Sequence, residues 1–256
     1  QVDIIIIDDH AELPKTWQGF LSIFHNQGIG IVNISEFLEV VHGKVSMIHC
    51  SSEHFAVTME TQLYRFVKRM IDIFVSAAAI LLFTPVVAIC AVLISIDTKG
   101  AIIYRQTRTG KSNRPFTLYK LRTMYSDSET LGPRFAEPHD PRATPIGRWL
   151  RRFKLDELPQ FLNVLIGNMS LIGPRPERPV WVDQYRIEIP YYDLRHLLRP
   201  GITGWAQVTH GYTSTVEGAR LKLERDLYYV KHIGPTLDLK ILIKTIRLLY
   251  GNTRAA

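Results

Sequence analysis

Hydrophobic and polar positions divide the 256-residue chain into segments of different character. Over residues 1–43, two short apolar runs alternate with two stretches of mixed polarity. This pattern predicts a strand at 2–7, a helix at about 14–27, a strand at 29–34 and a helix from Ser35. Strands that alternate with helices are typical of α/β domains. We therefore expect residues 1–60 to be the end of an α/β, nucleotide-binding-like domain plus a linker, and the chain to be the C-terminal part of a longer protein.

Residues 73–96 form a run of 24 residues without a formal charge. A straight helix of this length measures about 36 Å and could cross a hydrocarbon core of about 30 Å. Both flanks are basic, whereas a spanning helix normally carries its excess of Lys and Arg on one side. Thr84-Pro85 lies near the middle, where proline kinks a helix. We expect a re-entrant membrane helix at about 70–97 that bends at Thr84-Pro85 and returns to the same face; a single kinked span is the alternative.

Residues 237–250 place Lys240, Lys244 and Arg247 on one helical face, with apolar residues filling much of the remainder. A basic amphipathic helix of this kind can lie in a membrane interface, and a helix that packs on a core has the same pattern. The predicted fold class is therefore α+β: a mostly helical, membrane-associated domain over 61–256, with interfacial amphipathic helices, preceded by the α/β fragment.

The formal net charge of +7 indicates an anionic partner, and nucleic acid, acidic lipid and nucleotide substrates all qualify. We expect no nucleic-acid partner, because the chain lacks the patterns of a recognition helix or an RNA-binding fold, and the apolar run would serve no purpose there. Cys50 and Cys90 lie far apart, which suits a reducing cytosol better than a disulfide framework. The segment HCSSEH at 49–54 lacks a recognised zinc spacing and is interpreted as a polar connector.

The stretch RWLRRFKLDELPQFLN at 148–163 places Asp156 and Glu157 directly after a basic cluster and before Pro159. Taken alone, it predicts the start of a helix, because Asp, Glu and Pro all suit the first turn. A carboxylate can also attack phosphorus as a nucleophile, provided that nearby cations cancel the repulsion between the two anions. The acid pair is therefore a candidate catalytic site.

Other basic segments of the chain favour phosphate binding. Lys120 and Arg122 belong to the basic stretch 104–124, and Arg175 stands between Pro174 and Pro176, which restrict the backbone on either side. A guanidinium group binds phosphate through paired hydrogen bonds. Each segment alone could equally be a solvated loop, so the hypothesis rests on their accumulation around one acid pair.

Several of these segments together resemble those of a known protein family. The family is that of the bacterial sugar transferases, the monotopic polyprenyl-phosphate phosphoglycosyl transferases. The resemblance is carried by the stretches 140–179 and 198–208. KRMIDI at 68–73, the apolar run and the stretch 104–124 also resemble segments of this family and come in the same order along the chain. The resemblance covers about 66–250. It differs from the usual pattern at Phe153-Lys154, where the family often has Thr-Ser, and at Asn168, where it often has Asp.

The resemblance implies an enzyme of the bacterial inner membrane, with both ends of a re-entrant helix and the active site on the cytoplasmic face. It implies transfer of a sugar 1-phosphate from a UDP-sugar to undecaprenyl phosphate, with release of UMP and with Mg²⁺ as cofactor. Such a reaction starts an exopolysaccharide, capsule or O-antigen repeat unit. The C-terminal tail and the N-terminal α/β fragment resemble those of large, exopolysaccharide-type members of the family. This resemblance is also compatible with a homo-oligomer.

The resemblance also implies roles for single residues. Asp156 would be the nucleophile that forms a covalent phosphosugar intermediate, and Glu157 would assist with the metal and the reacting phosphates, so both are candidate Mg²⁺ ligands. The remaining candidates are the phosphate- and nucleotide-binding residues Arg151, Lys120, Arg122, Pro174, Arg175 and Pro176, and the helix-breaking pair Thr84 and Pro85. The alternative is a non-catalytic membrane module that binds polyprenyl phosphate or an assembly partner with the same basic surface.

Overall fold

A computed structural model describes residues 4–8, 14–47, 61–125, 128, 132, 134–135, 140–210 and 215–254. The N-terminal elements are β1 (Ile4–Ile7), α1 (Lys15–Asn26), β2 (Gly30–Asn33) and α2 (Ile34–His42). β1 and β2 pair in parallel, with Ile4 opposite Gly30. The predicted order of elements is confirmed, with bounds that differ by at most two residues. That they end a larger α/β domain stays a prediction, and the connector at 49–54 lies outside the described residues.

The end of α2 is fastened to the rest of the protein through Gly43. This residue has φ of 62°, a left-handed conformation that favours glycine, and its carbonyl accepts a 2.6 Å hydrogen bond from Trp205 Nε1. A Cβ atom there would lie 2.7 Å from the Trp205 ring. Close by, Glu39 pairs with Lys231 at 2.8 Å. Gly43 is therefore required both by its backbone conformation and by the ring packed against it.

The apolar run forms α3 (Gln62–Asp97), which is 36 residues long. Within the described residues it is the one helix long and apolar enough to cross a membrane. Its buried residues follow one another at spacings of three, four or eleven residues, which keeps them on one face, whereas much of the remaining surface is apolar and exposed, a distribution suited to lipid contact. The exposed apolar residues are Leu63, Phe66, Val67, Ile71, Phe74, Val75, Leu81, Leu82, Ile89, Val92 and Ile96.

Thr84 and Pro85 lie inside α3, and the helix continues through both. The Thr84 hydroxyl donates a 2.6 Å hydrogen bond to the Ile80 carbonyl, one turn earlier. A membrane-associated helix is thus supported by length, composition and exposed surface. The predicted return of the chain to the same membrane face stays a prediction.

The remaining described elements form a mostly helical body that also contains two short pairs of strands. They are β3 (Ile103–Thr109), β4 (Pro115–Leu121), α4 (Pro145–Arg152), α5 (Gln160–Leu165), β5 (Ser170–Ile172), α6 (Pro179–Glu188), β6 (Gly201–Thr203), α7 (Trp205–Thr209), α8 (Val216–Lys231) and α9 (Pro235–Arg254). β3 and β4 form an antiparallel hairpin, and β5 pairs with β6 in parallel. The largest core lies where α6, α8 and α9 meet, around Val182, Leu227 and Ile241.

Both ends of α3 are bound to this body. Near its start, Arg69 donates hydrogen bonds of 2.7 and 2.8 Å to the carbonyls of Val164 and Leu165, the last residues of α5. Beyond its end, the carbonyls of Thr98 and Lys99 accept hydrogen bonds of 2.6 and 3.0 Å from the Arg122 guanidinium. The described part of the chain therefore joins the apolar helix to the charged body at two places.

α9 combines features of the two alternatives predicted for it. Leu237 and Ile241 are buried in the core, and Thr245 bonds to Thr203 at 2.7 Å. Its outer face carries exposed apolar residues, including Ile246 and Tyr250. The first half of α9 is a packing helix, and its outer face has the surface expected of an interfacial helix.

Candidate active site

The acid pair lies on a tight turn between α4 and α5. Thr144 caps α4 by accepting a 2.9 Å hydrogen bond from the Gly147 amide, and Lys154 then takes a left-handed conformation with φ of 57°. This residue reverses the chain into a one-turn 3₁₀ helix, Leu155–Glu157, that carries both acids. The helix start predicted from these residues is therefore a 3₁₀ turn, and α5 begins only at Gln160.

Glu157 is bound by two cations that come from different parts of the chain. Its Oε1 atom accepts hydrogen bonds from Lys120 Nζ at 2.8 Å and from Arg175 Nη2 at 3.0 Å. Burial alone would raise the pKa of Glu157, but Lys120 and Arg175 outweigh it and hold that pKa well below its usual range. Glu157 is thus an ionised group that fixes two basic side chains beside its neighbour.

Asp156 is buried with 7% of its surface exposed. Within the described residues, no group donates a hydrogen bond to its carboxylate. Burial raises the pKa of Asp156, and the negative charge of Glu157 raises it further, while Lys120 and Arg151 oppose the shift. A carboxylate of raised pKa, free of hydrogen bonds and close to cations, has the properties of a nucleophile toward a phosphate anion.

Two of the predicted phosphate-binding residues are bonded within the body. Arg151 Nε donates to Thr123 Oγ1 at 3.0 Å, which leaves the far end of the guanidinium for other contacts. Arg122 is 8% exposed and binds the residues after α3, and it borders an open cavity of about 500 Å³ together with Tyr104 and Arg105. The structure therefore gives Arg122 an anchoring contact, and its predicted role in phosphate binding stays a prediction.

Three backbone contacts hold the Pro174-Arg175-Pro176 segment. The Pro174 carbonyl accepts from the Gly201 amide at 2.9 Å, and the Arg175 carbonyl accepts from Arg195 Nη2 at 2.8 Å. The Pro176 carbonyl accepts from Arg108 Nη1 at 3.1 Å. The Arg175 side chain is therefore presented to Glu157 from a restrained backbone, as the two prolines predict.

Comparison with known proteins decides the family. Residues 63–252 match the family described as bacterial sugar transferase. The chain belongs to the bacterial sugar transferase family. Thr84 and Pro85 lie within the matched segment, on α3.

The names of curated relatives describe the transfer of a sugar phosphate to undecaprenyl phosphate. The chain is 42% identical over 238 residues to the UDP-N-acetylgalactosamine-undecaprenyl-phosphate N-acetylgalactosaminephosphotransferase of Aeromonas hydrophila, which covers 93% of this chain and 56% of the relative. It is 41% identical over 184 residues to the UDP-glucose:undecaprenyl-phosphate glucose-1-phosphate transferase of Escherichia coli strain K12, covering 71% of this chain and 40% of the relative. The chain thus spans about half the length of these relatives.

Sequence reasoning missed a buried charge network beneath the Pro174–Pro176 segment of this sugar transferase. Arg195 and Asp226 form an ion pair of 2.7 Å in which each side chain is 2% exposed. Glu177 pairs with Lys222 and lies 3.8 Å from Arg108. These partners are distant in sequence and follow no motif spacing, so the sequence offers no local signal for them.

Sequence reasoning also missed Asn163, which is fully buried. Its Oδ1 accepts from the Tyr119 amide at 3.0 Å, and its Nδ2 donates to the Thr117 carbonyl at 2.7 Å. Asn163 therefore fixes α5 against the strand that carries Lys120. A side-chain amide among the apolar residues Phe161, Leu162 and Val164 is the signal that could have indicated it.

Asp72 of the KRMIDI segment also contributes to this framework. It is 3% exposed, and its Oδ1 accepts from the Leu171 amide at 2.9 Å and from Ser170 Oγ at 3.2 Å. β5, which contains both partners, leads directly into the Pro174–Pro176 segment. The membrane-associated helix is thereby joined to the loop that presents Arg175.

Proposed function

We propose that the protein transfers a sugar 1-phosphate from a UDP-sugar to undecaprenyl phosphate, giving undecaprenyl diphosphate-sugar and UMP. The observation that carries this proposal is the buried Asp156 carboxylate, free of hydrogen bonds in the described residues and adjacent to the Lys120–Glu157–Arg175 group. The relatives' names include UDP-N-acetylgalactosamine and UDP-glucose, which makes these two sugars the first donors to test.

In the first step, Asp156 attacks the phosphorus atom that carries the sugar. An Asp156–phosphorus bond forms, the bond to the oxygen bridging the two phosphates breaks, and its electron pair leaves with UMP. In the second step, an oxygen of undecaprenyl phosphate attacks the same phosphorus and releases the Asp156 carboxylate. Lys120, Arg175 and Arg151 would bind the phosphate oxygens and reduce the repulsion between anions at each step.

Mg²⁺ would fit this site as an ion held jointly by the acid pair and the substrate phosphates. In the described residues no cluster of three or more His, Cys, Asp or Glu could hold a metal. Mg²⁺ in phosphoryl-transfer sites is commonly bound by one or two carboxylates plus substrate phosphates, and the unbonded Asp156 with Glu157 beside it provides that minimal set. When bound, the ion would neutralise charge on the diphosphate.

The two attachments of α3 support a re-entrant arrangement. A straight helix from Asp72 to Thr98 would measure about 39 Å. Crossing the membrane would put its ends in opposite aqueous compartments, yet Arg69 and Arg122 bind both ends to one charged body. We infer that α3 enters and leaves on one face, the cytoplasmic face of the inner membrane, where UDP-sugars are made available for exopolysaccharide, capsule or O-antigen initiation.

The activity is tested by UMP release from purified protein given undecaprenyl phosphate, Mg²⁺ and a panel of UDP-sugars. We expect release with at least one donor, loss of release in Asp156→Asn, and a sugar-phosphate adduct on Asp156 by mass spectrometry. The matched control is Asp183→Asn, a side chain 69% exposed on α6, which should keep wild-type activity. Equal activity in wild type and Asp156→Asn would refute the assigned nucleophile.

The membrane arrangement needs a separate experiment. In a variant whose native cysteines are replaced by serine, single cysteines at Gln62 and at Thr98 are labelled with a membrane-impermeant maleimide. We expect both to react in inverted vesicles and neither in intact spheroplasts. Labelling of the two positions from opposite sides would establish a spanning helix instead.

A further inference from the structure

A small basic cavity lies beside the start of α3, and the acid pair is not among its lining residues. Its volume is about 70 Å³, and its floor includes Ile172 and Leu198. Its basic lining residues come from α3, the β3–β4 turn and the segment before β6. They are Arg65, Lys68, Arg69, Lys111 and Arg199, against a single lining acid, Asp72.

The contacts within this cavity leave it positively charged. Lys68 is neutralised by Asp238 at 2.5 Å, whereas Arg69 donates to neutral carbonyls, which do not cancel its charge. Lys111 and Arg199 are exposed, and within the described part of the chain neither side chain forms an ion pair. Lys111 and Arg199 therefore line the cavity from different loops beside Arg69, so that these three cations share the lining with one carboxylate among the described residues, Asp72.

The position of the cavity matches the depth of lipid headgroups. Arg69 precedes Ile73, the start of the charge-free run, by about 6 Å along the helix. Exposed Ile71, Phe74 and Val75 follow Arg69 on the next turns of α3, where acyl chains would contact them. The lining of the cavity does not include the acid pair, and Lys120, which binds Glu157, lies about 17 Å along β4 from Pro115, whereas Lys111 precedes that strand.

We propose that this cavity binds the headgroup phosphate of an acidic phospholipid. Lys111 and Arg199 would bind the phosphate oxygens, Arg69 would add charge, and the acyl chains would follow the exposed face of α3. A free phosphate anion has the same chemistry, but the adjoining apolar surface favours a lipid. The proposal rests on the membrane placement proposed above and is independent of the transfer reaction.

Full-length protein in detergent is titrated with dioctanoyl phosphatidylglycerol, dioctanoyl phosphatidylcholine or inorganic phosphate, and bound ligand is counted by native mass spectrometry. The test variant is Lys111→Gln with Arg199→Gln. The matched control is Arg114→Gln with Arg220→Gln, which removes two exposed charges, one from the same hairpin turn, outside the cavity. UMP release from the same samples reports the transfer reaction separately.

We expect phosphatidylglycerol to bind more tightly than phosphatidylcholine. The test variant should weaken phosphatidylglycerol binding by about 30-fold, which is about fivefold for each base removed near an anionic lipid. The control should change it less than threefold. Equal losses in both variants, or inorganic phosphate binding as tightly as phosphatidylglycerol, would overturn the lipid site, whether or not UMP release is found.

Discussion

Replacing Glu177 by glutamine gives a quantitative test of the charge network beneath the Arg175 loop. Glu177 follows Pro176 directly, its carboxylate pairs with Lys222, and Arg108 lies 3.8 Å away. Its backbone carbonyl also accepts a 2.9 Å hydrogen bond from the Thr109 amide. Glutamine keeps the size of the side chain and removes the charge, so the variant isolates the electrostatic contribution.

The pKa of Glu177 sets the expected magnitude. Burial would raise that pKa, but Lys222, Arg195 and Arg108 outweigh burial and lower it from 4.5 to about 2. A shift of this size corresponds to about 3 kcal/mol of stability at pH 7, since each pKa unit is worth about 1.4 kcal/mol. We expect Glu177→Gln to lower the free energy of unfolding by about that amount.

The stability that Glu177 contributes should decrease as the pH falls. Because the folded-state pKa is below the unfolded-state value, the stabilisation is fully present above pH 4.5 and is lost as the pH falls toward about 2. The stability difference between wild type and Glu177→Gln should therefore shrink over this range. Denaturant unfolding of the detergent-solubilised protein, followed by fluorescence at a series of pH values, measures it.

Two further variants make the result interpretable. Glu188→Gln removes a carboxylate from α6 that accepts an exposed 2.8 Å hydrogen bond from Gln184, and it should change the free energy of unfolding by less than about 0.5 kcal/mol. Combining Glu177→Gln with Lys222→Met should recover part of the loss, because the unpaired lysine is removed as well. A difference between wild type and Glu177→Gln that stays constant down to pH 2 would refute the electrostatic explanation.

Three other substitutions test the site. Glu157→Gln should move the acidic limb of the pH–rate profile to lower pH, because the Glu157 charge contributes to the raised pKa of Asp156; a limb that moves upward would contradict this. Asn163→Leu should lower the free energy of unfolding by about 2–4 kcal/mol, since it leaves the Tyr119 amide and the Thr117 carbonyl without their partner. Chemical denaturation of this variant beside the wild type measures the loss. Gly147→Ala should lower the free energy of unfolding by about 1–3 kcal/mol and reduce UMP release, because the added Cβ would lie 2.0 Å from the Thr123 carbonyl oxygen. The control is Gly19→Ala, at an exposed position with open space around it.

The sequence by itself was enough to predict the apolar helix, the candidate acid pair and the order of the N-terminal elements. The charge-free run, the adjacent Asp156 and Glu157 and the proline-flanked Arg175 are local patterns, and each follows from helix length, backbone restriction or the charge of neighbouring residues. The N-terminal strands and helices were predicted for the same reason, since hydrophobic periodicity is written in consecutive positions.

Only the tertiary structure decided which basic side chains pair with which acidic ones. Lys120 comes from a hairpin strand and Arg175 from a loop after β5, yet both bind the same oxygen of Glu157, while Asp156 stays free of hydrogen bonds within the described residues. Arg195 reaches the Arg175 carbonyl only because Asp226 of α8 holds it in the core. Pairings of this kind depend on how separate elements pack, and packing brings together residues whose sequence separation carries no period and no motif.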